Sequence, residues 1–221
     1  MTKAESKVID FIKKHILLFL LVAVTIIAIF LRICGMDFQS DDFNSFLNSW
    51  WSIIKLNDFT GLATQVGNYN IPYQVIIYLM TLLPLNALYA YKIVSIIFDF
   101  VLAISTAMLV YSFAKNNRRL KAILTYSAVL LSATVIFNSS FWAQCDSIYT
   151  SFIILAILFL HKDKPIASFV FIGIAFAFKL QTIFIIPVLL YYWISTKKIS
   201  ILHFFIIPAV DVIMCLPAII M

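Results

Sequence analysis

From Ile16 to Leu31 the chain runs ILLFLLVAVTIIAIFL without one charged side chain, and comparable apolar stretches recur along it. A backbone surrounded by hydrocarbon finds no water to bond, so its polar groups must be satisfied within the segment or by closed pairing, and a single run does this as a helix. With 63% hydrophobic and 12% charged residues and a mean hydropathy of +1.03, the chain lies far outside the composition of soluble domains. The expected fold is all-α: a polytopic membrane helix bundle forming a single transmembrane domain over residues 1–221. Its net charge of +6 then orients loops and gives no reason to expect a nucleic-acid partner.

Length and charge bias give the topology. Lys3, Lys7, Lys13 and Lys14 keep the N-terminus cytoplasmic, and no small-x-small cleavage site follows the first run, which reads as an uncleaved span. Seven spans are expected, at about 15–33, 88–114, 122–138, 147–160, 166–178, 181–195 and 199–220. The basic stretches KNNRRLK, HKDKP and TKK then all face the cytoplasm. A single span over 166–194 would bury Lys179 at its centre and place Lys197 and Lys198 outside, which costs twice. The external segment 34–87 holds IPYQVIIYLMTLL, too short to cross, so a re-entrant or interfacial helix is expected at about 72–84. Spans four and five are short as well. Their external connections should sit below the membrane surface, which polar backbone tolerates only beside a water-filled cavity.

After the first span comes FQSDDFNSFLNSWW, where Phe43, Phe46, Leu47, Trp50 and Ile54 share one helical face and Asn44, Asn48, Ser52 and Lys55 the other. This predicts an interfacial helix over about 42–55, its tryptophans at headgroup depth. At its start Ser40 or Asp41 suits an N-cap and Asp42 the positive helix end. One acid can equally face the cavity as a general base.

Ionisable residues within spans are costly unless used. Lys92 and Asp99 lie on one face of the second span, with a structural pair and ligand contact both open; Lys92, nearer the outer end, is the better ligand candidate. FWAQCDSIYT brings Gln144 and Asp146 to the start of the fourth span, and AFKLQTIF sets Lys179 and Gln181 on the facing turn. A lysine there runs against the loop bias and suggests an anion such as phosphate, with snorkelling to outer headgroups as the plain alternative. Asp211 is a further intramembrane acid without an assigned role. Cys34, Cys145 and Cys215 have no CxxC spacing, and the three histidines lie at span ends far from the acids, so neither a disulfide framework nor a histidine metal site is indicated. Oxygen ligands would allow a divalent ion, Mg or Mn, bridging Asp41, Asp42 or Asp146 to phosphate. Asn138-Ser139-Ser140 matches a glycosylation sequon.

Taken in order, the acid pair, GNYNIPYQ at 67–74, YKIVSIIFDFVLA at 91–103, FWAQCDSIYTSF at 141–152 and AFAFKLQTIFIIP at 175–187 resemble the GT-C superfamily of polytopic glycosyltransferases. The nearest branch is the bacterial mannosyltransferase-like proteins related to the GPI mannosyltransferases. The resemblance implies an enzyme using a polyprenyl-phosphate sugar donor, with Asp41 or Asp42 as the catalytic acid of the first external loop. It implies that Lys179 meets the donor phosphate, with Lys92 as a second cation, and that Asp146 is the acid of a WxQxD-like stretch in which Ala143 stands where the family commonly has glycine. Tyr69 and Asn70 of GNYNIPYQ, with Gln144 and Gln181, complete the expected substrate contacts.

Such a site would transfer a hexose, mannose-like, to a glycan or lipid acceptor of the cell envelope, with inversion. Members of the superfamily usually continue past a seventh span, which implies here a minimal module, an inactive remnant, or half of a split enzyme with a second subunit. The rival reading is a transporter, flippase or assembly subunit that binds lipid phosphate without chemistry, which a polar cavity also suits.

Overall fold

The computed structural model of the chain describes residues 1–220 and consists of helices and turns, with no strand among the described residues. α1 (Lys3–Ile33) opens with a capping box, Thr2 Oγ1 accepting from Glu5 N–H while the Glu5 carboxylate accepts from Thr2 N–H. Only Val24, Ala28 and Arg32 of its 31 residues are buried, so this long apolar rod turns most of its surface outward. α4 (Ala87–Phe113), capped by Asn86, is the central element. It packs against α5 (Arg118–Leu130) and α7 (Asp146–His161); α7 packs on α8 (Pro165–Phe178), and α8 on α10 (Ile206–Ile219).

All seven expected spans correspond to helical segments, but they are not equal. α1, α4 and Ile201–Ile219 are long and apolar enough to cross a membrane. α5 joins the short α6 (Ala133–Ile136) and a wide turn at Phe137–Phe141 through a 50° bend, a fourth crossing element if the pair is one span. α7, α8 and Leu180–Thr196, which contains α9 (Ile186–Thr196), are shorter apolar helices. A single helix over 166–194 is not formed: α8 stops at Phe178, and Lys179 is extended at φ −153°, ψ 125°.

α3 (Ile71–Thr81) has 11 residues, about 16 Å at 1.5 Å per residue. The helix after the acid pair runs through a π-helical turn, Phe43–Leu47, into α2 (Asn48–Asn57). Its apolar face packs on protein. Phe43, Leu47, Trp50, Trp51 and Ile54 are buried in one core cluster with Tyr73, Ile77 and Tyr91 of α3 and α4, and Phe46 alone of the stripe stays exposed. The stripe is satisfied by protein, an outcome that periodicity cannot tell from contact with lipid.

The basic stretches collect at one end. Lys13 and Lys14 share a groove with Arg119, Arg118 shares another with Lys162, and Lys198 pairs with Asp163 at 2.8 Å. The segment after α1 and the connections 141–146 and 178–181 meet at the other.

Candidate functional site

Ser40 begins the construction of the site. Its Oγ accepts from Phe43 N–H at 3.1 Å, the expected N-cap, and donates to the Trp142 carbonyl at 3.2 Å, tying the start of the helix to the turn before α7. That turn reverses at Ala143, buried and left-handed at φ 57°. Glycine adopts this conformation without strain, whereas the Ala143 Cβ makes it costly. The reversal presents Gln144, whose Nε2 donates to Asp42 Oδ2 at 2.9 Å and whose Oε1 accepts from Tyr69 OH at 2.8 Å. Burial, with Cys145 and Asp146 close by, pushes the Tyr69 phenol above its ordinary range, so it stays protonated and donates.

Two residues after Gln144, Asp146 opens α7. Its carboxylate is paired with Lys179 and accepts from Asn138 Nδ2 at 3.0 Å. Lys179 also lies 5.3 Å from the Tyr69 ring centre and 5.6 Å from that of Tyr149, both within cation–π range. The break between α8 and α9 releases it toward the cavity.

These groups surround a cavity of about 660 Å³ that Asp42, Tyr69, Asn70, Gln144, Lys179 and Gln181 all line, with Asn68 and the aromatic faces of Trp50, Phe178 and Phe184. Six of the expected site residues therefore meet in one place. Asp146 stands just behind, holding Lys179. Asp41, exposed, does not line the cavity, which leaves Asp42 as the acid of the pair that faces it.

Lys92 does not belong to the site. It is fully buried, and its Nζ donates to the carbonyls of Gly35 at 2.7 Å, Met36 at 3.0 Å and Phe38 at 2.5 Å, closing the chain end that leaves α1. All three donors are spent on backbone, and no phosphate can reach them. Nor does Lys92 pair with Asp99. That acid binds Arg32, with Nε and Nη2 each 2.9 Å from Oδ2, and accepts from Ser139 at 2.6 Å and Ser147 at 2.5 Å. Arg32 in turn donates to the carbonyls of Ala28 and Leu130. Asp99 is thus structural. Asn138 is committed to Asp146, and the two serines of its sequon are buried.

Among the described residues no three His, Cys, Asp or Glu side chains gather as a metal site. Of the acids considered for a divalent ion only Asp42 lines the cavity, and Asp146 is already held by Lys179 and Asn138.

Asn68, Tyr149 and Phe184 carry no sequence signal that singles them out. Asn68 lies two residues before the expected Asn70 in a polar loop, a position without periodicity to mark it. No family model, curated protein or solved structure matches the chain.

Proposed function

We propose that the chain is a membrane glycosyltransferase of GT-C type that moves a hexose from a polyprenyl-phosphate donor to an envelope glycan or lipid acceptor. The observation that carries this reading is the sharing of one cavity by Asp42 and Lys179, walled by amides and aromatic rings. An oxygen-rich sugar needs many directional partners, which Gln144, Gln181, Asn68 and Asn70 offer, together with apolar faces such as Trp50.

The acceptor hydroxyl gives its proton to Asp42, and its oxygen attacks the anomeric carbon as the bond to the lipid phosphate breaks. The leaving phosphate carries the negative charge, which Lys179 stabilises by exchanging the Asp146 carboxylate for a phosphate oxygen. Asp146 holds the ammonium in place beforehand, so its position is set before donor arrives. A single displacement inverts the anomeric centre. The donor, a membrane lipid, reaches the cavity from the outer leaflet in a cell membrane protein whose N-terminus is cytoplasmic.

The test is release of sugar from radiolabelled polyprenyl-phosphate hexose by the protein in lipid. Asp42→Asn should lower turnover by roughly 10²–10⁴-fold, the usual contribution of a general base, with donor binding kept, while Asp41→Asn stays near wild type. Lys179→Met should weaken both. Equal loss in the two acid variants would remove Asp42 from the base role. Tight donor binding with no turnover in the wild type would favour the carrier or assembly-subunit reading.

A further inference from the structure

At the basic end of the bundle, α1, α4 and α5 leave a second groove of about 590 Å³. Leu21 and Thr25 of α1, Ala107 and Met108 of α4, and Ile123 and Tyr126 of α5 form its length. The polar atoms of this lining are largely withdrawn: the Thr25 and Tyr126 hydroxyls are 3.0 Å apart and bond to each other. What remains is an apolar trough open to the side of the bundle.

Its mouth is different. Arg118 and Lys162, from separate elements, both line it. Arg118 is held in place, Nε donating to the Tyr111 carbonyl at 2.9 Å and the guanidinium 4.3 Å from the Tyr111 ring centre. Both its Nη groups remain without a protein acceptor, and Lys162, 6.0 Å from the Phe159 ring centre, makes no side-chain hydrogen bond. The acid at this end, Asp163, is occupied by Lys198, and among the described residues neither Arg118 nor Lys162 has an ion-pair partner. Lys13, Lys14 and Arg119 line the adjoining groove and add to the same field; Glu5 and Asp10 lie earlier on α1, and Glu5 is used in its cap.

An apolar trough that ends in two unpaired cations fits an amphiphile with one negative head. A free inorganic anion would use the cations and leave the trough unfilled, whereas a neutral lipid would fill the trough and leave the cations bare. We infer that this groove binds an anionic phospholipid, one acyl chain lying along α1, α4 and α5 and the phosphate seated between Arg118 and Lys162. It is at the opposite end of the bundle from the Asp42–Lys179 cavity and stands independently of the reaction proposed there.

Native mass spectrometry of the full chain in detergent, titrated with phosphatidylglycerol or phosphatidylcholine of equal chain length, tests this. The wild type should retain one phosphatidylglycerol more tightly than phosphatidylcholine. Arg118→Gln with Lys162→Gln should weaken that binding by roughly twenty-five-fold, two cations each contributing about a factor of five at an anionic lipid head, and leave phosphatidylcholine unchanged. Ala107→Trp, which fills the trough and spares both cations, should also release the lipid, and thermal melting confirms that each variant is folded. Undiminished phosphatidylglycerol selectivity in the double variant, or displacement of the lipid by millimolar inorganic phosphate alone, would overturn the assignment.

Discussion

Gly67 lies in the left-handed region at φ 77°, and a Cβ there would sit 2.1 Å from Trp50 Cε2. Trp50 cannot give way cheaply, since it is buried beside Tyr69 with ring centres 5.5 Å apart. Gly67→Ala should therefore cost more than the roughly 1–2 kcal/mol of left-handed strain alone, seen as a lower melting temperature in detergent. Combining it with Trp50→Ala should cost less than the sum of the two changes, and strict additivity would show that the clash is not the cause. The cysteines give a second contrast. Cys145 is buried and its thiol pushed up to about 12, chiefly by desolvation, while Cys34 is exposed. Maleimide at pH 7.5 should modify Cys34 within minutes and Cys145 only after unfolding, because the thiolate is the reactive form; mass spectrometry of the labelled peptides reads this directly. Asp42, Gln144, Lys179 and Gln181 were legible in the sequence because ionisable and amide groups stand out against an apolar background. Arg32 was not: nothing in the local sequence marks it, and its partner Asp99 lies 67 residues away. Lys92 misled for the converse reason, since sequence shows a charge and not the carbonyls that surround it.

At the scale of elements, the Arg32–Asp99 pair fixes where α1 meets α4, and Ser139 and Ser147 extend the hold to the turn after α6 and the first turn of α7. Removing one partner leaves the other charge buried and unpaired. Asp99→Ala should destabilise by about 3–5 kcal/mol, measured by denaturant titration, whereas Arg32→Met with Asp99→Leu should recover a good part of that loss. A double variant as weak as the single would mean that the serines, and not the charge, dominate. Helix existence and most helix bounds could be read from apolar run length and Pro72, Pro84 or Lys179 as punctuation. The two π-helical turns could not. Phe43–Leu47 follows Asp42 and Phe137–Phe141 precedes Ala143, so each widens a helix beside the cavity, and a widened turn follows no 3.6-residue signature.

For the whole molecule, the gathering of Lys13, Arg118, Arg119, Lys162 and Lys198 at one end and of the cavity at the other makes sidedness testable. Cys34 belongs to the cavity end, next to the carbonyls that Lys92 binds. In intact cells expressing the Cys215→Ala variant, a membrane-impermeant maleimide should label Cys34 if the cavity faces outward, and protection until lysis would reverse the orientation. The apolar rods were legible at this scale because hydropathy is summed over many residues, but which of the shorter helices cross was not, because length alone does not fix depth.

α7 has 16 residues and α8 has 14, rods of about 24 and 21 Å against a hydrocarbon core of about 30 Å. α1, on the far side of α4 and α5, spans 31 residues. Should α7 and α8 cross the membrane, the two flanks would present different hydrophobic lengths, and lipid beside α7 and α8 would compress or tilt to cover them. A bilayer thinned on one flank lowers the headgroups there toward the level at which α8 ends and Lys179 begins. Membrane deformation would then be part of the geometry of the proposed transfer, since a lipid-linked donor approaching from that flank would travel a shorter depth to Lys179.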